Sequence, residues 1–196
     1  MSIGIIILAA GTSSRMGQSK QLLKIGNVSL LKHATQQALG ASSHVTVVLG
    51  ANANEHEVEL RATPIQIAVN TQWQKGIGSS IKTGIKSILS VSPHIDGVLI
   101  MLCDQPKVTT AYLNTMIKTF GDSHGAIVVS RYEGTLGVPA IFSNEHFHDL
   151  LGLEDASGAK SVIMRYPNDV SAIDSPEAAT DLDTPEDYSQ FIATLK

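Results

Sequence analysis

The sequence predicts an α/β fold of three layers: a mostly parallel central sheet with helices on both faces. Two observations carry this. Short apolar runs alternate with helical patterns at the spacing of βαβ units. The runs are β-branched or aliphatic at consecutive positions, as in strands covered on both faces.

The strands are predicted at Ile3–Leu8, Val45–Leu49, Ile65–Val69, Gly97–Leu102 and Ala126–Val129. Ser29 can cap a first helix whose Leu30, Leu31, Ala34 and Ala38 form one stripe, closed by Gly40. Ile77, Ile81, Ile85, Ile88 and Leu89 repeat at helical spacing and stop before Pro93. A third helix runs from Thr110 to Phe120, ended by Gly121. Beyond residue 130 the pattern is less regular. Val138–Phe142 reads as a strand, and Ser143–Leu151 and Gly158–Arg165 read as helical. Thr184, Pro185 and Asp187 suit the cap, first and third positions of a final helix.

A chain of 196 residues that is 43% apolar suits one domain, 1–196. No apolar run approaches the roughly 20 residues of a membrane span. The start of the chain has no basic leader, and Cys103 is the lone cysteine, so a reducing cytoplasm is expected and no disulfide framework. The net charge of −4 argues against nucleic acid as a partner. That sum hides an asymmetry. Residues 1–90 carry eight basic and three acidic side chains, while the remainder carries six basic and fifteen acidic ones. A positive front half on an acidic protein suits a small polyanion.

The first predicted strand runs into Leu8-Ala9-Ala10-Gly11-Thr12-Ser13-Ser14-Arg15-Met16-Gly17-Gln18-Ser19-Lys20. Small residues let a ligand approach backbone N–H groups closely, which suits phosphate oxygens. Arg15 can pair with phosphate through a planar fork, and Lys20 adds a mobile point charge. The loop is neither a Gly-Lys-Ser/Thr phosphate loop nor Gly-x-Gly-x-x-Gly, and a plain βα turn is the other reading. Asp104 just follows the predicted strand 97–102, at the edge where ligands of such sheets bind. It can hold Mg²⁺ on a triphosphate by one carboxylate oxygen, or form an Asx turn before Pro106.

Ala-Ala-Gly-x-Ser-x-Arg-Met-Gly-x-x-Lys, present from Ala9 to Lys20 and continued by Gln21-Leu22-Leu23, resembles the signature loop of MobA-like NTP transferases. The likeness is greatest to the molybdenum cofactor cytidylyltransferase group. It spans residues 3 to 190 and implies a Rossmann-like nucleotidyltransferase fold. In that frame residues 1–130 form the nucleotide-binding part. Residues 131–196 form the acceptor side and a C-terminal metal-ligand segment. The segment Asn70 to Ser80 resembles the one that contacts base and sugar, which implicates Asn70, Gly78, Ser79 and Ser80. With Leu8, Ala9, Ala10, Gly11, Arg15 and Lys20 they make the implied nucleotide site. Met101 to Pro106 resembles the family's Asp-Gln-Pro element. Asp181-Leu182-Asp183-Thr184-Pro185 resembles its C-terminal motif, which implies Asp181 as second metal ligand beside Asp104. Asp183 is the other candidate for that ligand; Asp181 is favoured because Asp183 adjoins the helix start and can serve as a capping or dipole residue instead. Val138 stands where the family has the His of Gly-His-Pro, and Lys160 where it has Arg.

The resemblance implies Mg²⁺-dependent transfer of a nucleoside monophosphate, CMP from CTP, to a molybdopterin-type acceptor for use by a molybdoenzyme. Arg15, Lys20 and Asp104 would act in catalysis by positioning and neutralising charge. Two other readings are a cytidylyltransferase for a small phosphorylated alcohol and a non-catalytic cofactor-delivery protein. His146 and His148 read as surface polarity, Cys103 as core, and Glu55, Glu57 and Glu59 as a solvated helix face. Trp73 reads equally as packing or as a stacking partner for a base.

Overall fold

The computed structural model describes residues 1–123 and 126–195. The elements run β1 (Ile3–Ala9), a two-rung hairpin β2 (Lys24–Ile25) and β3 (Val28–Ser29), α1 (Leu30–Ala41), β4 (Val45–Leu49), α2 (Ala53–Glu59) and β5 (Gln66–Val69). They continue with α3 (Ile77–Val91), β6 (Gly97–Leu102), α4 (Thr110–Asp122), β7 (Ile127–Tyr132), β8 (Thr135–Ser143), α5 (Phe147–Leu151), α6 (Lys160–Arg165), β9 (Val170–Asp174) and α7 (Pro185–Ala193).

Seven strands form one sheet in the order β5-β4-β1-β6-β8-β7-β9. Pairings β5–β4, β4–β1, β1–β6 and β7–β9 are parallel, and only β8 runs against its two neighbours. The fold is a three-layer α/β fold, with helices on both sides of the sheet. β1 is an interior strand, third in that order between β4 and β6, and is buried throughout. Its side chains alternate between two cores. Ile3, Ile5 and Ile7 pack with α1 and α4 through Leu31, Ala38, Leu113 and Met116. Ile6 and Leu8 face α3, α5 and α6 through Ile81, Ile85, Leu150 and Ile163. Each fully buried isoleucine contributes roughly 2 kcal/mol of hydrophobic free energy.

The register pairs Ile3 with Gly97 and Leu8 with Leu102, so β1 and β6 end side by side. The loop after β1 and the turn holding Asp104 therefore meet at the carboxyl edge of the sheet.

Several boundaries differ from the sequence expectation. Gly40 and Gly121 lie inside α1 and α4, which continue to Ala41 and Asp122. Gly40 marks a helix crossing instead: a Cβ there would meet Thr110 Oγ1 at 2.6 Å. The expected helix 143–151 is a 3-10 turn, Asn144–His146, followed by the short α5. β9 was not expected at all. It is a half-buried edge strand, Val-Ser-Ala-Ile-Asp, held only by β7.

The end of the chain follows its local code. Thr184 accepts a hydrogen bond from the Asp187 N–H, and the Asp187 carboxylate accepts one from the Thr184 N–H, a full capping box. Phe191 and Leu182 pack with Leu30, tying α7 to the start of α1. Thr184→Ala is expected to cost about 1 kcal/mol. In thermal denaturation that lowers the midpoint by about 2–4 °C. An unchanged midpoint would show that the box contributes nothing to stability.

Candidate active site

The loop after β1 is held in shape by its own side chains. Ser13 sits in the left-handed region at φ 57°, uncommon for a residue with a Cβ, and Gly17 turns the chain again at φ 70°. Met16 is buried and anchors the far side of the turn, its N–H donating to the Ser13 carbonyl at 2.9 Å. Gln21, also buried, donates to the carbonyls of Ala9 (3.2 Å) and Gly11 (2.9 Å). Among the described residues no backbone carbonyl accepts from the N–H groups of residues 11–15. These donors remain available to phosphate oxygens.

Charge concentrates where this loop meets the end of β6. The Lys20 ammonium pairs with Asp104 and lies 3.0 Å from Asp183 Oδ1. Arg15 reaches the other Asp183 oxygen at 2.8 Å. The two cations differ in setting: the Lys20 side chain is 15% exposed, and that of Arg15 is 72% exposed. Burial alone would lower the Lys20 pKa. The charge and hydrogen bond of Asp104, with the bond to Asp183, outweigh it and hold the ammonium above its usual range. Asp181 moves the opposite way. Burial first, then the neighbouring Asp104 and Asp183 charges, push its carboxyl up to about 6.

These groups line an open cleft of about 500 Å³. One wall is the loop, from Leu8 to Thr12 with Arg15, Lys20 and Gln21. The facing wall holds Trp73, Gly76, Ile77 and Ser80, and Asp104, Asp181 and Asp183 complete the lining. A second, apolar cavity of about 220 Å³ adjoins it, sharing Leu8, Ile77 and Leu102, with Val138 and Lys160 on its lining.

The cleft thus gathers Leu8, Ala9, Ala10, Gly11, Arg15, Lys20, Ser80, Asp104 and Asp181 from four distant parts of the sequence. Asn70, Gly78 and Ser79 do not line it. Asn70 is buried and donates to Ser79 Oγ (2.8 Å) and Ser80 Oγ (3.0 Å), so its amide braces the α3 start. Ser79 spends its hydroxyl on the Gln72 and Gly76 carbonyls, and the Gly78 N–H donates to Asp155 O at 2.8 Å. The Asn70 amide, the Ser79 hydroxyl and the Gly78 N–H are therefore engaged within the protein.

Of the two uses open to Asp183, the structure does not show capping. Thr184 and Asp187 do the capping, and the Asp183 carboxylate turns into the cleft. Cys103 is buried on the cleft lining, and burial pushes its thiol up, away from nucleophilic use. His146 is a further correction. It is buried, 3.7 Å from Asp149 and against the Tyr166 ring, rather than surface polarity. Glu55 and Glu57 are exposed as expected, whereas Glu59 is half-buried and pairs with Lys24 at 3.6 Å.

The donor set suits a divalent cation of the Mg²⁺ type. Among the described residues Asp104 Oδ1 is buried with no hydrogen-bond partner, and Asp181 lines the same cleft. Among the described residues no three His, Cys, Asp or Glu side chains form a cage for a metal ion. Mg²⁺ does not ask for one, since it takes one or two carboxylates and fills its octahedron with substrate phosphates and water.

A cleft at the carboxyl edge of this sheet, lined by the loop after β1, by Arg15 and Lys20 and by three carboxylates, places the molecule among the α/β nucleotidyltransferases. The chain belongs to the MobA-like NTP transferase domain family, whose model it matches over residues 5–170. It is 30% identical to the purine catabolism protein PucB of Bacillus subtilis, over 93% of this chain and 92% of that one. It is 24% identical to the molybdenum cofactor cytidylyltransferase of Escherichia coli, over 95% and 94%. It is 29% identical to the nicotine blue oxidoreductase of Paenarthrobacter nicotinovorans, over 95% of each. Among solved structures, a Mycobacterium sp. strain JC1 homologue of Rv0371c superposes with a TM-score of 0.83 at 28% identity, covering 98% of this chain and 96% of that one. Rv0371c of Mycobacterium tuberculosis, described as a complex with manganese, gives 0.77 at 26%, covering 99% and 100%. No helix among the described residues is long and apolar enough to cross a membrane.

Proposed function

We propose that the protein is a cytoplasmic, Mg²⁺-dependent cytidylyltransferase that moves CMP from CTP onto the phosphate of a molybdopterin-type acceptor. A phosphate oxygen of the acceptor attacks the α-phosphorus in line. The bond to the β-phosphate breaks, and pyrophosphate leaves.

The observation that carries this reading is the Lys20 ammonium held between Asp104 and Asp183 beside the open N–H groups of residues 11–15. Such a cluster fits the charge that accumulates as a triphosphate becomes pyrophosphate. Lys20 and the loop N–H groups would bind the phosphate oxygens, and the exposed Arg15 can swing from Asp183 onto the outer phosphates. Asp104 and Asp181 would hold Mg²⁺, which supplies charge neutralisation across the phosphates when bound. A phosphate-monoester acceptor is ionised at neutral pH, so no strong general base is needed. The Ala9-Ala10-Gly11 form of the loop and the resemblance to the cytidylyltransferase favour CTP.

The test is pyrophosphate release from CTP, GTP and ATP with Mg²⁺, each with molybdopterin, methylerythritol phosphate or no acceptor. Release is expected with CTP and molybdopterin. Faster release from GTP or ATP would overturn the choice of nucleotide. Release with only the small alcohol phosphate would overturn the choice of acceptor. Tight CTP binding with no release under any condition would overturn the enzyme reading itself.

A further inference from the structure

His56 belongs to α2, 37 positions along the chain from Ser19, yet it reaches the loop after β1. Its side chain is fully buried, and Nε2 lies 2.7 Å from Ser19 Oγ. The hydrogen bonds around it leave one consistent assignment of protons. Gln21 must turn its NH₂ toward the Ala9 and Gly11 carbonyls, which can only accept. Its Oε1 therefore faces Ser13 Oγ (3.0 Å) and Ser19 Oγ (2.9 Å), and both hydroxyls donate to it. Ser13 Oγ in turn accepts from the Lys20 N–H at 3.0 Å. The single Ser19 proton is then committed to Gln21, so Ser19 can only accept from His56. The imidazole is the Nε2–H tautomer, and its buried Nδ1 has no partner among the described residues. Burial lowers the His56 pKa, in keeping with a neutral ring; the nearby Glu55 charge opposes that shift.

We infer that His56 is a positioning residue for the triphosphate loop, acting through Ser19 and Gln21 to hold the backbone of Lys20 before nucleotide arrives. The relay joins α2 to β1 and braces the left-handed Ser13. It fixes the main chain of the residue whose ammonium sits between the carboxylates. This inference rests on the proposed use of the loop for a triphosphate, but its first test needs no nucleotide.

The experiment compares wild type, His56→Leu, His56→Gln, Ser19→Ala and the Leu/Ala double variant. Two readouts are taken: hydrogen exchange at the Lys20 amide in the free protein, and calorimetric binding of CTP with Mg²⁺ and no acceptor. Glutamine carries an amide N–H at about the reach of Nε2, so His56→Gln should restore the donor. Both single removals are expected to speed exchange at Lys20 and to weaken CTP binding about tenfold, the size of one lost hydrogen bond. His56→Gln should stay within about threefold of wild type, and the double variant should be no weaker than either single one. Unchanged exchange in His56→Leu and Ser19→Ala would overturn the inference. So would multiplied losses in the double variant, or a His56→Gln as impaired as His56→Leu, since both describe mere packing. Should His56→Leu fail to fold, His56→Gln and Ser19→Ala decide the matter alone. A wild type that binds no nucleotide would defeat the proposed function, while the exchange data would still decide the role of His56.

Discussion

Asp104→Ala is expected to lower Mg²⁺-dependent pyrophosphate release by about 10²–10³-fold, the scale seen when a preorganised electrostatic group is removed. The side chain is the part that matters to the chemistry. Its Oδ1 is a buried acceptor with no partner among the described residues, and its Oδ2 holds the Lys20 ammonium. The fold uses the backbone instead, because the Asp104 carbonyl accepts from the Leu182 N–H at 3.0 Å and so anchors the segment bearing Asp181 and Asp183. Alanine leaves that bond in place. It removes an attraction for Lys20 but also an orphaned acceptor and a repulsion toward Asp181, and Lys20 keeps Asp183. These opposing effects should hold the thermal midpoint within about 4 °C of wild type. Asp104→Asn, which keeps the shape and loses the charge, should be nearly as inactive. Turnover by either variant within tenfold of wild type would remove Asp104 from the metal-holding role.

The elements that sequence made legible are those whose burial is two-sided. β1, β4 and β6 are covered on both faces, so their composition alone distinguishes them from helices. β9 is an edge strand with mixed polarity, and nothing local separates it from a loop; its partner β7 decides it. The candidate site divides in the same way. Residues 8–20 are one contiguous segment, the end of β1 and the loop after it, and Leu8 to Thr12, Arg15 and Lys20 line the cleft, so spacing is informative. The part played by Asp183 depends on where the chain returns, and the Leu182–Asp104 backbone bond is invisible in a linear pattern. Asn70 and Ser79 look equally suited to a ligand or to each other, and the structure pairs them. His56 carries no local signal at all, since its partner lies 37 positions away.

Gly78→Ala is expected to destabilise the protein by about 3 kcal/mol, the upper part of the range for forced overpacking. A Cβ at this position would meet the Ser157 carbonyl oxygen at 2.7 Å and that of Asp155 at 3.0 Å, and would lie closer still to that of Glu154. All three are backbone atoms, so no side chain can rotate out of the way. The segment is also strapped from the side, by Lys82 Nζ on Leu153 O (2.8 Å) and on Asp155 Oδ1 (2.6 Å). Helix propensity favours alanine by about 1 kcal/mol at an interior position. That gain is smaller than the clash, so the sign of the effect is clear. The midpoint should fall by roughly 6–12 °C. Separation of α3 from residues 154–157 should also displace Gly76, Ile77 and Ser80 on the cleft wall, raising the KM for nucleotide more than it lowers kcat. The outcome discriminates between two uses of one glycine. A glycine kept for close approach of a ligand would, on gaining a methyl group, lose nucleotide affinity at unchanged stability. A glycine kept for close approach of the 154–157 backbone must lose stability first, and a wild-type midpoint in Gly78→Ala would refute that second use.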